Sequence, residues 1–362
     1  MKLPIRQSLI AQTAEAIREG IRQRVWRTHL PGERDLATHM KVSRPTVRFA
    51  LEILQHEGWV RTSRAGFRRE IAHRPRTRTR LRDRKVTFLT DGLSRLASSY
   101  RSQALVDDLR EALHANGIGL DVQVYPRASP ERLPLALDAL VREQPASAWV
   151  LTRASREIQE WFARQSLPVL VNGTSYPGVP LPFVGINYRA VGRHAAGVLI
   201  RAGYRRLVIV ATHTNVAGDD DSEAGFRRTV DTARTTGLNC RIVRFNESRD
   251  DLIDRLDSLH LADHRTIGFF CMFAPHAIML QGYLQRHGLL TTGRCALISR
   301  VYDPMLAWTF PRIAHYHQNV SLVTHKIARL TLNMVRGGPL PVKAYRLIPD
   351  YVPGETVGRI SE

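Results

Sequence analysis

From Val86 onward the chain alternates short apolar runs with longer stretches whose apolar residues recur every three or four positions. Strand-like runs at 86–89, 120–125, 148–151 and 168–171 are separated by helical periods at 102–116, after Pro130, and through Trp161 and Phe162. A second series follows: helix 189–202, strand 207–210, helix 223–236, strand 241–245, helix 250–260, strand 267–271, helix 278–287 and strand 296–299. Such alternation predicts parallel sheets covered by helices, because a strand that returns parallel to its neighbour needs a crossover long enough to hold a helix. Two series of similar length predict two similar lobes, so residues 86–358 read as an α/β body.

The segment ahead of this body is different in kind. Residues 1–85 hold 21 Lys and Arg against 8 Asp and Glu, whereas the remaining 277 residues hold 32 against 25. About two thirds of the net charge of +20 therefore sits in under a quarter of the chain. That density suits a polyanion, since neutralising phosphates releases condensed counterions.

Leu9, Ile10, Thr13, Ala14, Ile17 and Ile21 predict an amphipathic helix over about 7–25. A shorter helix begins near Glu33 and buries Leu36, Ala37 and Met40. Ser43 then stands as N-cap of a helix over about 44–57, with Pro45 tolerated in a first turn that needs no donor. On that helix Val47, Ala50, Leu51 and Leu54 form the core stripe, while Arg48, Phe49 and Glu52 face away and Arg44 and Thr46 occupy the exposed start. Residues 59–62 and 67–71 read as two short strands around Gly66, carrying Arg61, Arg64, Arg68 and Arg69. A helix that presents basic and polar side chains from its first turns suits a DNA major groove.

These residues, from Leu30-Pro31-Gly32-Glu33-Arg34-Asp35-Leu36-Ala37 through Val42-Ser43-Arg44-Pro45-Thr46-Val47-Arg48 to Glu57-Gly58-Trp59-Val60, resemble the winged helix-turn-helix of the GntR family of bacterial transcription regulators. The resemblance covers about residues 5–72 and implies that Arg34, Arg44, Thr46 and Arg48 contact phosphates or base edges, with Gly66 letting the wing tip approach the minor groove. Arg64 joins them as a wing phosphate contact. Gly32 replaces the serine that usually caps the second helix, and Phe49 replaces a polar residue. Phe49 has two readings, contact with a thymine methyl or packing on Ile53. Domain boundaries follow: a head at 1–72, an arginine-rich linker at 73–85 that is either a phosphate-tracking strap or a tether extended by self-repulsion, and the body at 86–358.

The body resembles the periplasmic-binding-protein-like effector domain of the LacI/GalR family, through Val184-Gly185-Ile186-Asn187, Ala202-Gly203-Tyr204, Ala224-Gly225-Phe226-Arg227 and Met334-Val335-Arg336-Gly337-Gly338. Head and body together are similar to the arabinose-repressor type of regulator. The resemblance implies a small effector, often a sugar, held between the lobes, in a homodimer on double-stranded operator DNA. Its ligand positions are altered here. Ser222 stands where an arginine is usual, Phe273-Ala274 replace Asn-Asp, Asn172 replaces an aspartate, and Asp303 is slightly displaced from a usual acidic position. Tyr100, Asn172, Asp219, Asp303 and Gln318 remain as polar or stacking candidates. A sugar, a non-sugar effector, and a body that is only a dimerisation scaffold all stay open.

Other classes fit poorly. No apolar run reaches the length of a membrane span, and Cys240, Cys271 and Cys295 are scattered and odd in number, which suits a reducing cytoplasm. His260 with His264 and His315 with His317 lack a third ligand nearby, so no metal is expected. Asp219-Asp220-Asp221 reads as a solvated loop. No nucleophile elbow, phosphate-cradling glycine loop or CxxC pair occurs, so neither an enzyme nor a cofactor is expected.

Overall fold

The computed structural model describes residues 9–23, 25, 26, 28–56, 59–61, 69–71, 84–92, 100–246, 248–261, 266–290, 293–358 and 360. The chain forms two compact units, Met1–Leu81 and Arg82–Glu362. Arg64, Gly66, His264 and most of the arginine-rich linker lie outside the described residues.

In the first unit, α1 (Leu9–Arg22), α2 (Glu33–Met40) and α3 (Arg44–His56) close around Ala14, Ile17, Leu36, Val47, Ala50, Leu51 and Leu54. These are the residues whose spacing predicted an inward face; only Leu9, at the fraying start of α1, stays exposed. Full burial of each larger aliphatic side chain contributes about 1.5–3 kcal/mol. Strands β1 (Val60–Arg61) and β2 (Glu70–Ile71) pair antiparallel, with Val60 opposite Ile71. The chain before α2 adds to that pair: Leu30 N–H donates to the Arg69 carbonyl at 2.9 Å and Ile71 N–H to the Thr28 carbonyl at 2.7 Å.

The second unit holds two six-stranded sheets. The first contains β3 (Lys85–Thr90), β4 (Gly119–Val124), β5 (Ala148–Thr152), β6 (Val169–Asn172), β7 (Phe183–Ile186) and β13 (Ala344–Leu347), in the order β13-β7-β6-β5-β3-β4 and all parallel. The second contains β8 (Arg206–Thr212), β9 (Asn239–Phe245), β10 (Ile267–Cys271), β11 (Cys295–Ser299), β12 (Ala314–His317) and β14 (Asp350–Val352), in the order β14-β12-β11-β10-β8-β9. Only the β12–β14 pair is antiparallel. Lobe 1 is covered by α4 (Tyr100–His114), α5 (Leu133–Glu143), α6 (Arg156–Ala163) and α11 (Val320–Gly337); lobe 2 by α7 (Tyr188–Arg201), α8 (Ala217–Thr232), α9 (Arg249–Asp257) and α10 (Ala274–Arg286). The chain passes between lobes three times, after β7, after β12 and between β13 and β14.

Two glycines set how α7 and α8 meet. A Cβ on Gly192 would lie 2.1 Å from the Ser222 carbonyl oxygen, and one on Gly225 would lie 2.1 Å from that of Arg189. Nothing larger than glycine lets these two backbones touch, which gives the Ala224-Gly225-Phe226 run a packing reason. The contact also aims the start of α8 at lobe 1, where Ala217 joins the core of Trp149, Trp161 and Phe162.

The expected start of α8 is corrected. Asp219-Asp220-Asp221 is not a solvated loop but lies in the first turns of the helix, and Asp219 is buried. Carboxylates are stabilised there by the exposed N–H groups and dipole of a helix start. His260 lies beyond α9 with φ +46°, not on the helix expected to carry it. Among the described residues no helix is long and apolar enough to cross a membrane, and no group of three His, Cys, Asp or Glu is placed to hold a metal.

Candidate functional site

On the first unit α3 presents Arg44, Arg48 and Phe49 to solvent, and α2 presents Arg34. Ser43 caps α3 as expected: its Oγ accepts from Thr46 N–H at 3.3 Å and lies 2.7 Å from Thr46 Oγ1. Gly32 offers α2 no side-chain cap. Phe49 is half exposed and Ile53 is exposed as well, so Phe49 is not withdrawn into the core. Glu33, which the sequence reading passed over, ties the face together. Its carboxylate meets Arg48 Nε and Arg69 Nη2, each at 3.4 Å, and Arg69 Nη1 also donates to Gln55 Oε1 at 3.5 Å. One acid on α2 thereby places one arginine of α3 and the one just before β2.

In the second unit a cavity of about 520 Å³ opens between the lobes. Asn172, Asp219, Phe273 and Asp303 line it, as the sequence reading expected. Ser222 does not line it; it is fully buried one turn behind Asp219. Gln318 is buried too, without lining the cavity, and among the described residues neither atom of its side-chain amide has a hydrogen-bond partner. Tyr100 begins α4, whose Ser102 and Leu105 reach the wall.

The residue that organises this cleft is Arg300, at the exit of β11. It is 3% exposed. Its Nη1 lies 2.6 Å from Asp219 Oδ1 and donates to Ser222 Oγ at 3.1 Å, while its Nε donates to the Met272 carbonyl at 3.1 Å. Its guanidinium sits 4.5 Å from the Tyr188 ring centroid and 5.3 Å from that of Phe273. Burial alone would raise the Asp219 carboxyl, but Arg300, the Thr214 hydroxyl and Arg153 together hold it below the ordinary carboxylate value. Across the cleft Arg153, in a left-handed backbone conformation at φ +52°, pairs with Asp91 at 2.8 Å and lies 5.8 Å from the Phe273 centroid. Ser222 is thus no vacated clamp: a guanidinium still stands there, delivered from β11 instead of α8. The only sequence signal was an arginine two residues after the apolar run Cys295-Ala296-Leu297-Ile298.

Residues 9–68 match the model of the "Bacterial regulatory proteins, gntR family", and residues 196–357 match that of the "Periplasmic binding protein-like domain". The chain joins a gntR-family regulatory head to a periplasmic-binding-protein-like body. It is a DNA-binding transcription regulator. No curated protein matches the sequence significantly. Among solved structures, a LacI-type transcriptional regulator of Bacillus cereus subsp. cytotoxis superposes with a TM-score of 0.67 at 13% identity, covering 77% of this chain and 99% of its own. A periplasmic binding protein/LacI regulator of Alkaliphilus metalliredigens, complexed with D-xylulofuranose, gives 0.61 at 13%, covering 77% and 100%. The transcriptional regulator CelR in complex with cellobiose gives 0.63 at 15%, covering 90% of this chain and all of its own. At these identities the likeness is one of fold.

Proposed function

We propose that this regulator is a homodimeric repressor that reads an inverted-repeat operator with α3 and changes its DNA affinity when a small molecule occupies the interlobe cavity. Arg34, Arg44, Thr46 and Arg48 make the phosphate and base contacts, and Arg64 and Gly66 carry the wing. Residues 73–85 form the strap that joins the head to the body at 86–358, and the protein works in the cytoplasm. The observation that carries the effector half is the cavity itself. Its walls come from both lobes and from two crossings, through Tyr188 and through Val320 and Val323, so an occupant bears on the joints that set the lobe angle.

The sugars in the xylulofuranose and cellobiose complexes support a small-molecule effector of some kind for this cleft. Thermal-shift measurements on the full chain with sugars, polyols, nucleosides and polyamines test the reading, since a ligand that binds only the folded state raises the melting point by mass action. A ligand that shifts melting must also shift operator affinity. If melting responds and DNA binding does not, the regulatory coupling is wrong; if no class shifts melting, the body is a dimerisation scaffold.

A further inference from the structure

Arg34, Arg44 and Arg48 all reach solvent from the head, but they are not equivalent. Among the described residues no hydrogen bond or ion pair engages the guanidinium of Arg34 or Arg44. Arg48 is the most constrained of the three: although its side chain is 58% exposed, it meets the Glu33 carboxylate at 3.4 Å, and its hydrogen bond runs through Nε alone. Glu33 is itself fixed. It stands in the first turn of α2, where the helix dipole favours an acid. Its other oxygen meets Arg69, whose side chain is only 19% exposed. The Arg69 guanidinium also donates to Gln55 Oε1, and its carbonyl accepts from Leu30 N–H. The acid that touches Arg48 is therefore held from behind by a second, half-buried arginine.

An arginine held by Nε keeps both Nη atoms side by side at its tip. Two donors at that spacing match N7 and O6 of guanine, whereas adenine puts an amino group in place of the second acceptor. A phosphate suits this arginine less well, because it would meet the Glu33 charge as it approached, while the guanine edge is neutral. Pairing also removes rotamers before DNA arrives, so less ordering is left for binding to impose.

We infer that Glu33 is the positioning residue of DNA recognition: it holds Arg48 by Nε and so commits that arginine to one guanine in each half-site. The assignment rests on the reading that α3 enters the major groove.

The test uses the full-length protein and the operator that it selects from random duplex DNA. Affinities of the parent, Arg48→Ala and Glu33→Ala are measured by fluorescence anisotropy for that operator and for every single base-pair replacement in one half-site, across a range of salt. The parent should prefer G·C at one position by about tenfold or more, and Arg48→Ala should lose that preference. Glu33→Ala should narrow it to about threefold or less while the other positions keep theirs. Freed of its acid, Arg48 then falls back on a phosphate, so the plot of log affinity against log salt should steepen by about 0.9. Should Glu33→Ala fail to fold, Glu33→Gln, which keeps the size of the side chain and loses its charge, is read in the same way. An equal loss at every position, or a slope that does not steepen, gives Glu33 a merely structural role and overturns the assignment. Loss at a pair where Arg48→Ala is silent overturns it too, because Glu33 then reads a base itself. A preference that Arg48 imposes on a pair other than G·C overturns the choice of guanine. If neither Arg44→Ala nor Arg48→Ala alters any position, the α3 reading itself fails; if Arg48→Ala acts and Glu33→Ala does not, only the role of Glu33 fails.

Discussion

Asp219→Ala isolates the interaction on which the ligand cleft depends. The side chains of Arg300 and Asp219 are 4% and 10% exposed and 2.6 Å apart, so solvent screens them little and the pair belongs with buried ion pairs, not surface ones. Removing the acid leaves a guanidinium in the interior with Ser222, the Met272 carbonyl and two rings but no counter-charge. Breaking a buried pair from one side costs about 3–5 kcal/mol. At roughly 2–4 °C per kcal/mol for a body of this size, the lower half of that range lowers the melting point by about 6–16 °C. Asp219→Leu combined with Arg300→Met should recover most of the loss, because apolar residues filling the same space avoid the desolvation of both charges. Differential scanning calorimetry of the parent, the single variant and the double variant reads this directly. The parent should also depend on acid. The folded-state value of Asp219 is depressed, so its stabilisation is complete above the ordinary carboxylate value and is lost as pH falls through the folded one. A melting point unchanged in Asp219→Ala, or a double variant no better than the single, would refute the assignment of Arg300 as the organising residue.

Three further outcomes follow from the same geometry. Arg44→Ala and Arg48→Ala should each weaken operator binding by roughly 1–3 kcal/mol in gel-shift titrations at fixed salt, with the melting point unchanged; unaltered affinity for both would mean that α3 does not read the bases. Ser43→Ala removes the cap of α3 and should destabilise the head by about 0.5–2 kcal/mol in urea unfolding, an effect absent if Thr46 N–H is satisfied by water. Gly192→Ala drives a Cβ onto the Ser222 carbonyl and should destabilise the body by about 1–3 kcal/mol or more; a neutral result would show that α7 and α8 separate freely.

The layer structure was readable because parallel strands covered by helices leave continuous apolar runs: strand 267–271 is met residue for residue, and strands 86–89 and 148–151 within a residue or two. The head was readable for a different reason, since Val47, Ala50, Leu51 and Leu54 declare the inner face of α3 and so leave Arg44 and Arg48 outward. The cleft was read only in part. Asp219 looked solvated because it stands in a run of three acids, yet the close approach of α7 and α8 at Gly192 and Gly225 goes with an α8 start whose Ala217 packs into the core of lobe 1. Ser222 looked like a loss because its partner, Arg300, is 78 residues away and no local pattern joins them. Short edge strands β13 and β14 carried too few residues to show a period.

The central claim is that this chain recognises DNA as a symmetric pair of heads. Selecting binding sites from random duplex DNA with the full-length protein tests it most directly. The account predicts enrichment of an inverted repeat whose half-site centres lie about one helical turn apart, or a multiple of it, and loss of that enrichment in Arg44→Ala/Arg48→Ala. Enrichment of a single asymmetric site, or of the same sequence by the double variant, would contradict it.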